Sequence, residues 1–578
     1  MILDRMGLKS AWRRSADQPS LVLGFVGALI GVWFVGPGQI AVGNRDWLRP
    51  TPSRLDHAVA QLNWEFLRWA PMGTWPPFDL SNLGVGWSTV YVPFSSGSPF
   101  GIVLRYFSAI LPTKFQFMGL WLILSFFLYG YFAGKLISRA TASKGIVVLG
   151  GLLLLTSPVF YYRIGVLGHF ELSAHWLIFA SILLALESQI RFKRWTLLLL
   201  VALIINIYLF VITGCFYLAA FIQNLTAQSD RKPKVKQFGL VLVCCAFAMW
   251  VLGFFVYRSN ATGLGFFRIN LASFIFPRFS LGASYQGSFS QFFDQIGVFD
   301  GRDFVAFERE GFGYLGLGVI FGSSVLLVLV LSRLRMTFAR LSGPSKSVVV
   351  VSIVLFLNSL SNHVVIGRRE LLQYPVPNAL LDLRQVFRTA ERFSWPLYYL
   401  IFLAVIVGIT KFVRQKALVT LILVSLLVIQ IWDIYPGVLS SRQVLRTTST
   451  VQLISSPQWD EIVKGRKSLT MVPVFDFIDD EQSTEIEDWR KNDRFFSILE
   501  FASQRQLTTN FSVTGRPVSA IVEIENRRIN EELTNGRFDV DTVYVFPNLN
   551  QWSELRAKYS RSGQFVELDG FFLIVPFS

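Results

Sequence analysis

The chain has 578 residues, of which 52% are hydrophobic and only 16% are charged, and its mean hydropathy is +0.47. About a quarter of the residues of a soluble domain are charged, so this composition excludes an ordinary water-soluble protein. The net charge of +16 would suit nucleic-acid binding, but the positions of the basic residues argue against it. The three cysteines, Cys215, Cys244 and Cys245, lie in apolar runs, which indicates neither a disulfide framework nor a thiolate metal site.

Apolar runs of membrane-spanning length recur along residues 1–433. About 20 apolar residues cross the hydrocarbon core of a bilayer. The first run follows a basic N-terminal segment but lacks a clean small-x-small cleavage site, so we interpret it as a retained span and not as a signal peptide. The pattern predicts a polytopic α-helical membrane protein with about eleven spans, at residues 21–40, 115–137, 145–162, 172–189, 195–210, 212–228, 238–257, 312–332, 347–362, 396–412 and 417–433.

The basic residues indicate on which side of the membrane each connection lies. If the N-terminus is cytoplasmic, all six cytoplasmic segments are basic, which is the positive-inside pattern of short loops. Two alternatives remain open at Asn206–Gly214, which is either a tight hairpin between two spans or a re-entrant turn. A single helix there would invert every later segment and place basic clusters outside, which the charge rule disfavours.

The long connections all fall on the extracytoplasmic side, at residues 41–114, 258–311 and 363–395 and in the tail from Ile434. The tail is charged and alternates short apolar strands with helices. This pattern predicts a transmembrane domain over residues 1–433, followed by a small α/β domain over residues 434–578. The predicted strands of the tail are Leu469–Phe475, Thr542–Phe546 and Phe571–Val575, and its predicted helices are Glu523–Leu533 and Gln551–Tyr559.

The first outer loop contains the strongest candidate for an acid–base residue. Residues from Asp56 to Trp69 have a helical, amphipathic pattern, and Trp64, Trp69 and Trp75 suit a helix that lies in the membrane interface. Asp56 opens this helix, where an aspartate either caps free backbone N–H groups or serves as a general base at the membrane surface. Asp46 is the alternative base, although it does not open the helix.

Two further outer segments carry side chains of the types that bind phosphate. The first contains Arg163, His169 and His175, and its two histidines lack the i, i+4 spacing of a helical zinc pair. The second contains Arg388 and Arg392, which are expected on one helix face and would suit a phosphate or pyrophosphate, with Glu391 balancing part of their charge. Turns, interface capping and snorkelling arginines are the structural alternatives for these residues.

The remaining polar candidates are assigned to a substrate cleft. All four histidines fall on or near the outer face, which indicates either a shared cleft or only polar ends of spans. Glu310 lies near the end of the long loop 258–311, whose phenylalanine and glycine content predicts a mobile lid. No P-loop, GxGxxG after a strand, HExxH or GxSxG motif occurs, so the sequence supports neither ATP-driven transport nor serine hydrolysis.

In its motifs the chain resembles the GT-C class of integral-membrane glycosyltransferases, and within that class an uncharacterised bacterial family. The resemblance covers nearly the whole chain. The matching positions are Asp56, Trp64, Phe66, Arg68 and Pro71, then Gly168, His169, His175 and Trp176, then Phe387, Arg388, Arg392, Phe393, Trp395 and Pro396, and the runs Glu310–Gly316, Phe538–Val545 and Leu568–Gly570.

The resemblance implies an enzyme of the bacterial inner membrane with a periplasmic C-terminal domain. Such an enzyme takes a sugar from a polyprenyl-phosphate carrier and passes it to an extracytoplasmic glycan or lipid-glycan acceptor. The implied general base of an inverting transfer is Asp56. The implied phosphate-binding residues are Arg388, Arg392, Arg163 and His169, and the implied cleft residues are His57, His175, Trp64, Glu310 and His363.

The chain departs from that family where a second acidic residue is expected, because Phe94–Ser98 contains no carboxylate. If that acid is a metal ligand, its loss disfavours a metal-dependent mechanism. No cofactor is therefore expected, and a divalent metal is the less favoured alternative. Two other functions remain open: a transporter or flippase for lipid or polysaccharide, which usually has paired broken helices, and a non-catalytic membrane scaffold.

Overall fold

The structure, a computed structural model, describes residues 8–49, 56–84, 98–226, 231–256, 264–280, 286–298, 310–331, 343–448, 453–474, 494–512 and 519–577. It is mostly helical, with a small sheet near the C-terminus. The described residues form two compact units. The helical unit lies within residues 1–42, 117–246 and 262–447, and the sheet-containing unit lies within residues 43–116, 247–261 and 448–578.

The α-helices follow one another in this order. The first eleven are α1 Leu8–Val35, α2 Pro37–Ile40, α3 Asp56–Trp69, α4 Ser98–Arg105, α5 Met118–Ile137, α6 Lys144–Leu155, α7 Pro158–Tyr161, α8 Trp176–Ala185, α9 Phe192–Ile205, α10 Ile207–Thr226 and α11 Lys232–Val251. The others are α12 Gln291–Ile296, α13 Leu317–Leu331, α14 Gly343–Ser359, α15 Asn378–Val386, α16 Trp395–Phe412, α17 Lys416–Arg446, α18 Gln458–Ile462, α19 Arg494–Gln504, α20 Ser519–Thr534 and α21 Leu549–Tyr559.

Six helices of the described chain are long and apolar enough to cross a membrane: α1, α5, α10, α11, α16 with the turn before it, and α17. The pair formed by α6 and Pro158–Val166 meets the same criterion, with a bend of 47° between its halves. Every predicted span coincides with a helix, but the count of eleven is not confirmed. The reason is length, because α8, α9, α13 and α14 have only 10, 14, 15 and 17 residues, and a helix rises about 1.5 Å per residue.

The region around Asn206 is a hairpin of two helices. Asn206 has an extended backbone that ends α9, and α10 begins at the next residue. The ring of Trp195 lies 5.4 Å from that of Tyr217, and the Ile190 N–H donates to Asn224 Oδ1 at 3.3 Å. Residues at similar distances before and after the turn therefore meet, so α9 and α10 run antiparallel.

Glycines allow α1 and α5 to pack closely. A β-carbon at Gly130 would collide with the backbone carbonyl of Leu23, and one at Gly27 would collide with that of Phe126. Small residues at such crossings are typical of membrane helices, because they let the backbones approach.

We expect Gly130→Ala to lower the free energy of unfolding by about 1–3 kcal/mol, the usual cost of overpacking. Gly239→Ala is the matched control, because no atom lies within 4 Å of a β-carbon at Gly239. Thermal unfolding of both variants in detergent tests this prediction, and equal midpoints would contradict it.

The sheet-containing unit has five strands, in the order Thr508–Thr509, Ser468–Met471, Thr542–Phe546, Phe571–Pro576 and Gly563–Leu568. The first three run parallel, and Phe571–Pro576 is antiparallel to both of its neighbours. These bounds confirm both helices predicted for the tail and the strands predicted at Thr542–Phe546 and Phe571–Val575. The predicted strand Leu469–Phe475 is shorter than expected, because it ends at Met471 and residues 472–474 are irregular; Phe475 lies outside the described residues.

The first outer loop adds to the edge of this sheet. Leu83 forms a parallel bridge with Thr509, and the Thr509 N–H donates to the carbonyl of Asn82 at 3.0 Å. The side chain of Asn82 in turn donates to the carbonyl of Phe66 in α3 at 2.8 Å. The loop and the tail are therefore parts of one compact unit, and α17 continues to Arg446, past the predicted domain boundary at residue 433.

The last hairpin turns at Asp569 and Gly570, whose φ angles are +50° and +77°. Asp-Gly is a favoured pair for a two-residue turn of this kind. The Asp569 carboxylate accepts hydrogen bonds from the N–H groups of Ser455 at 2.8 Å and Ser456 at 3.0 Å, and from the Trp459 indole. Burial acts to raise the pKa of Asp569, but these hydrogen bonds outweigh it, so the pKa is lowered.

This lowered pKa predicts a pH dependence of stability. A carboxyl group with a folded-state pKa below its unfolded value of about 3.9 stabilises the fold above that pH and loses its contribution as the pH falls further. Asparagine also suits this turn, so Asp569→Asn removes the charge and leaves the turn intact. We expect the variant to have a lower thermal midpoint than wild type at pH 7. The difference between the two midpoints should become smaller in acid. A difference that is constant with pH would contradict this expectation.

Candidate functional site

Arg163 of the helical unit lies at a distortion of a helix. The segment that follows the bend after α6 widens into a π-helical turn at Tyr162–Val166. Turns of this type are frequent at functional sites. The Arg163 side chain is completely buried, and its Cζ lies 5.2 Å from the centre of the Trp395 ring.

Four charged side chains alternate in sign around a closed circuit, which we call the arginine–glutamate ring: Arg163, Glu310, Arg392 and Glu391. Arg163 Nη1 lies 2.5 Å from Glu310 Oε2, and the same oxygen lies 3.6 Å from Arg392 Nη2. On the other side, Glu391 Oε1 lies 3.5 Å from Arg392 Nε and 3.9 Å from Arg163 Nη2. With both carboxyl groups ionised, the four side chains carry no net charge.

His169 lies beside this ring, whereas His175 contacts Tyr399 and Trp395. His169 Nδ1 is 3.4 Å from Arg163 Nη1, and its Nε2 is 3.7 Å from Glu310 Oε1. His175 is buried, with Nδ1 2.5 Å from the Tyr399 hydroxyl and its ring 4.4 Å from that of Trp395. The structure therefore brings together Arg163, His169, Glu310 and Arg392 among the predicted site residues.

Arg388 and Arg392 do not share a helix face, which corrects that expectation. Helix α15 ends at Val386, and a separate 3₁₀ turn begins at Ala390. Proline follows Trp395, and the residues around Arg388 form the irregular connection that leads into α16. The guanidinium of Arg388 lies 5.7 Å from the Phe267 ring, whereas that of Arg392 lies 4.6 Å from the Tyr208 ring.

The four histidines have different surroundings. His363 lies in a two-stranded hairpin, Nε2 2.7 Å from Glu370 Oε2. His57 is fully buried and belongs to the sheet-containing unit. Within the described ranges, no group of three or more histidine, cysteine, aspartate or glutamate side chains could hold a metal ion.

The candidate bases lie in the sheet-containing unit. Helix α3 begins at Asp56, as predicted, and the Asp56 side chain is half-buried. Asp46 is more exposed and lies 3.8 Å from Arg49 in a short 3₁₀ turn.

Trp64 does not lie at a surface of this unit, although it was expected to face the membrane interface. Its ring is fully buried, and its Nε1–H donates to the carbonyl of Phe115 at 3.1 Å. Most residues of α3 are buried, so Trp64 supports the fold of this unit. Trp75 is half exposed and packs on Trp250 at 5.2 Å.

A second charged network, in the sheet-containing unit, was missed by sequence reasoning. Arg45 forms an ion pair with Glu65 of α3, and Arg49 Nε lies 3.4 Å from Glu500 Oε2 of α19. Ser503 donates to Glu65 Oε2 at 2.6 Å. Burial raises the pKa of Glu500, an effect that the neighbouring arginines oppose. The one indication in the sequence is that Glu65 lies between Trp64 and Phe66, where a buried carboxylate would need a basic partner.

The helical unit has the helix lengths and composition of a polytopic membrane protein. The chain belongs to the family described as Domain of unknown function (DUF6311), which matches residues 24–435, and residues 458–576 match the DUF6311 C-terminal domain. No curated protein and no solved structure matches the chain.

Proposed function

We propose that this chain transfers a sugar from a polyprenyl-phosphate-linked donor to an extracytoplasmic glycan or lipid-glycan acceptor. The observation that carries the proposal is the convergence of Arg163 and Arg392, from distant parts of the sequence, on one carboxylate oxygen of Glu310. Two guanidinium groups that meet at a carboxylate oxygen are also placed for a phosphate oxygen, because both anions accept hydrogen bonds from the same donor fork.

In the proposed reaction, the acceptor hydroxyl oxygen attacks the anomeric carbon from the face opposite the phosphate. The glycosidic C–O bond forms while the bond from the anomeric carbon to the phosphate oxygen breaks, and the electron pair of that bond leaves with the lipid phosphate. The hydroxyl proton passes to Asp56, the proposed base, or to Asp46 as the alternative. A lipid phosphate is a weak base, so it needs positive charge and not a general acid.

The proposed donors to the phosphate are Arg163, Arg392 and His169, with Arg388 nearby in the sequence. We place the chain in the bacterial inner membrane, in a GT-C-like fold with about eleven spans. The basic connections support a cytoplasmic N-terminus and an extracytoplasmic C-terminal region. No cofactor is proposed, and a divalent metal stays the less favoured alternative.

Turnover of lipid-linked sugars tests this proposal. Full-length protein in lipid nanodiscs would receive a panel of polyprenyl-phosphate sugars and a mixed glycan acceptor. We expect Arg392→Gln to slow turnover by about 10²–10³-fold, as does loss of one oxyanion-hole donor. The control is Arg278→Gln, because Arg278 is partly exposed and its ion pair with Asp294, at 3.5 Å, is of the kind that contributes little. Equal rates for Arg392→Gln and wild type would contradict the proposal.

One observation favours transport of a lipid-linked sugar as a second candidate function. The 47° bend after α6 is a broken helix that leads to a charged cluster, an arrangement that secondary transporters use at their binding sites. Reconstituted vesicles distinguish the two functions. A transporter moves the intact lipid-linked sugar between leaflets, whereas a transferase breaks the bond between sugar and phosphate.

A further inference from the structure

The two carboxylates of the arginine–glutamate ring differ in exposure and in bonding. Glu391 is 1% exposed, and within the described residues neither of its carboxylate oxygens accepts a hydrogen bond. Glu310 is 8% exposed and accepts a hydrogen bond from Arg163 at 2.5 Å. Glu310 is thus the more accessible of the two anions, and it lies where both arginines and His169 converge.

Arg163 does not depend on the Glu310 carboxylate for its position. Its Nη2 donates to the backbone carbonyl of Glu310, and the same nitrogen lies 3.9 Å from Glu391. The guanidinium also lies over the Trp395 ring. These contacts would remain if the Glu310 side chain rotated away, so the arginine would stay aimed at the same point.

The backbone beside Glu310 is held by neighbouring residues. The Phe312 ring packs against Tyr162 at 4.4 Å and Phe289 at 5.0 Å. The Tyr314 hydroxyl donates to Asp433 at 2.6 Å. A β-carbon at Gly311 would meet the carbonyl of Arg268 at 2.5 Å, so this chain segment is closely packed. The Glu310 carboxylate can therefore leave its position between the arginines only by rotation of its side chain, while the backbone stays in place.

We infer that the Glu310 carboxylate occupies the phosphate-binding position between Arg163 and Arg392, and that a phosphate ester binds by displacing it. This inference rests on the proposed function and adds to it a residue that sets the affinity for the phosphate. A carboxylate and a phosphate accept the same bidentate donors from arginine, so one can replace the other at this point.

The donor and the lipid product of the proposed reaction differ in the charge of their phosphate. A sugar phosphodiester carries one negative charge, the same as the carboxylate that it displaces, so the charge held between the two arginines does not change when the donor binds. A lipid phosphate monoester carries about −1.5 to −2 near pH 7 and attracts the arginines more strongly. Because Glu310 competes for the same position, it lowers the affinity for both phosphates and so limits how tightly the monoester product is held.

Binding of farnesyl phosphate tests the inference. Farnesol, which has the lipid chain without the phosphate, and inorganic phosphate, which has no lipid chain, are measured for comparison. The proteins compared are full-length wild type, Glu310→Gln, Glu391→Gln and Arg392→Gln in nanodiscs. Both glutamate substitutions replace a carboxyl group of the ring by an amide of nearly the same shape, but only the first removes the group that lies between Arg163 and Arg392. We expect Glu310→Gln to bind farnesyl phosphate about tenfold more tightly than wild type, a difference of about 1.4 kcal/mol. Glu391→Gln is expected to gain clearly less.

Each result has a distinct meaning. Equal gains in the two variants, or no gain in Glu310→Gln with an unchanged thermal midpoint, overturn the inference. If wild type binds farnesyl phosphate and Arg392→Gln does not, the proposed phosphate site stands even when the inference fails. If wild type binds farnesyl phosphate no better than farnesol, both the inference and the proposed function fail.

A measurement on wild type alone covers the case in which Glu310→Gln does not fold. Carboxyl groups that react with a carbodiimide and an amine can be located by mass spectrometry. Labelling of Glu310 is expected to rise when farnesyl phosphate is added, while labelling of Glu391 stays low. Unchanged or lower labelling of Glu310 at saturating farnesyl phosphate would overturn the inference.

Discussion

Asp56→Asn is expected to slow sugar transfer by about 10²–10⁴-fold, the usual contribution of a positioned general base. Asparagine is a good residue at the start of a helix, and its side chain has nearly the same shape as aspartate, so α3 should still begin at residue 56. The lower rate should therefore come from the loss of proton transfer and not from a loss of folded protein. The measurement is kcat for wild type and variant, together with the thermal midpoint and the affinity for farnesyl phosphate, which should not change.

Asp46→Asn is the matched control for this prediction. Asp46 is an exposed aspartate of the same unit, in a short turn beside Arg49. A large loss in Asp46→Asn together with full activity in Asp56→Asn would move the base to Asp46. Full function in both variants would favour a non-catalytic scaffold.

Asp433→Ala is expected to lower the free energy of unfolding by at least about 3 kcal/mol, because each buried donor left without a partner costs about 1–3 kcal/mol. Asp433 of α17 is completely buried and accepts hydrogen bonds from the Ser290 hydroxyl at 2.5 Å and the Tyr314 hydroxyl at 2.6 Å. It also accepts from the backbone N–H groups of Leu317 at 2.9 Å and Phe292 at 3.4 Å.

The effect of Asp433→Ala should extend to the arginine–glutamate ring. Asp433 joins α17 to the start of α13 and to Tyr314, a few residues after Glu310. Loss of this carboxylate should therefore weaken phosphate binding as well as stability. Unfolding in mixed micelles measures the loss of stability, and the affinity for farnesyl phosphate measures the loss of phosphate binding. Asp294→Ala is the control, because that carboxylate is 42% exposed, and an equal loss of stability in both variants would contradict the account.

The helices were predictable from sequence because the apolar runs that suit a bilayer are long and are separated by charged or glycine-containing connections. Helix lengths were less predictable. The runs at α8 and α13 contain enough apolar residues to span a membrane, but turns before each helix take up part of them. The strands of the tail were predictable because their apolar residues are β-branched or aromatic. The pairing of Leu83 with Thr509 was not, since strand pairing between distant segments leaves no local pattern.

The candidate site was predictable in residue type but not in arrangement. Arg163, His169 and Arg392 were expected near phosphate on chemical grounds, and the structure places them around Glu310. The expected pairing of Arg388 with Arg392 relied on a continuous helix, which ends at Val386. The ion pair of Arg45 with Glu65 and the role of Asp433 depend on tertiary contacts between distant residues, which spacing alone cannot reveal.

The most direct test of sugar transfer is to follow the phosphorus of the donor. Wild-type protein in a phosphorus-free detergent would be supplied with a polyprenyl-phosphate-linked sugar and acceptor, and the ³¹P NMR spectrum recorded over time. If the chain transfers sugar, the phosphodiester signal of the donor is replaced by that of a lipid phosphate monoester, and Arg392→Gln slows this change. A phosphodiester signal that persists while the folded protein binds donor, across the panel of sugars, would contradict the account.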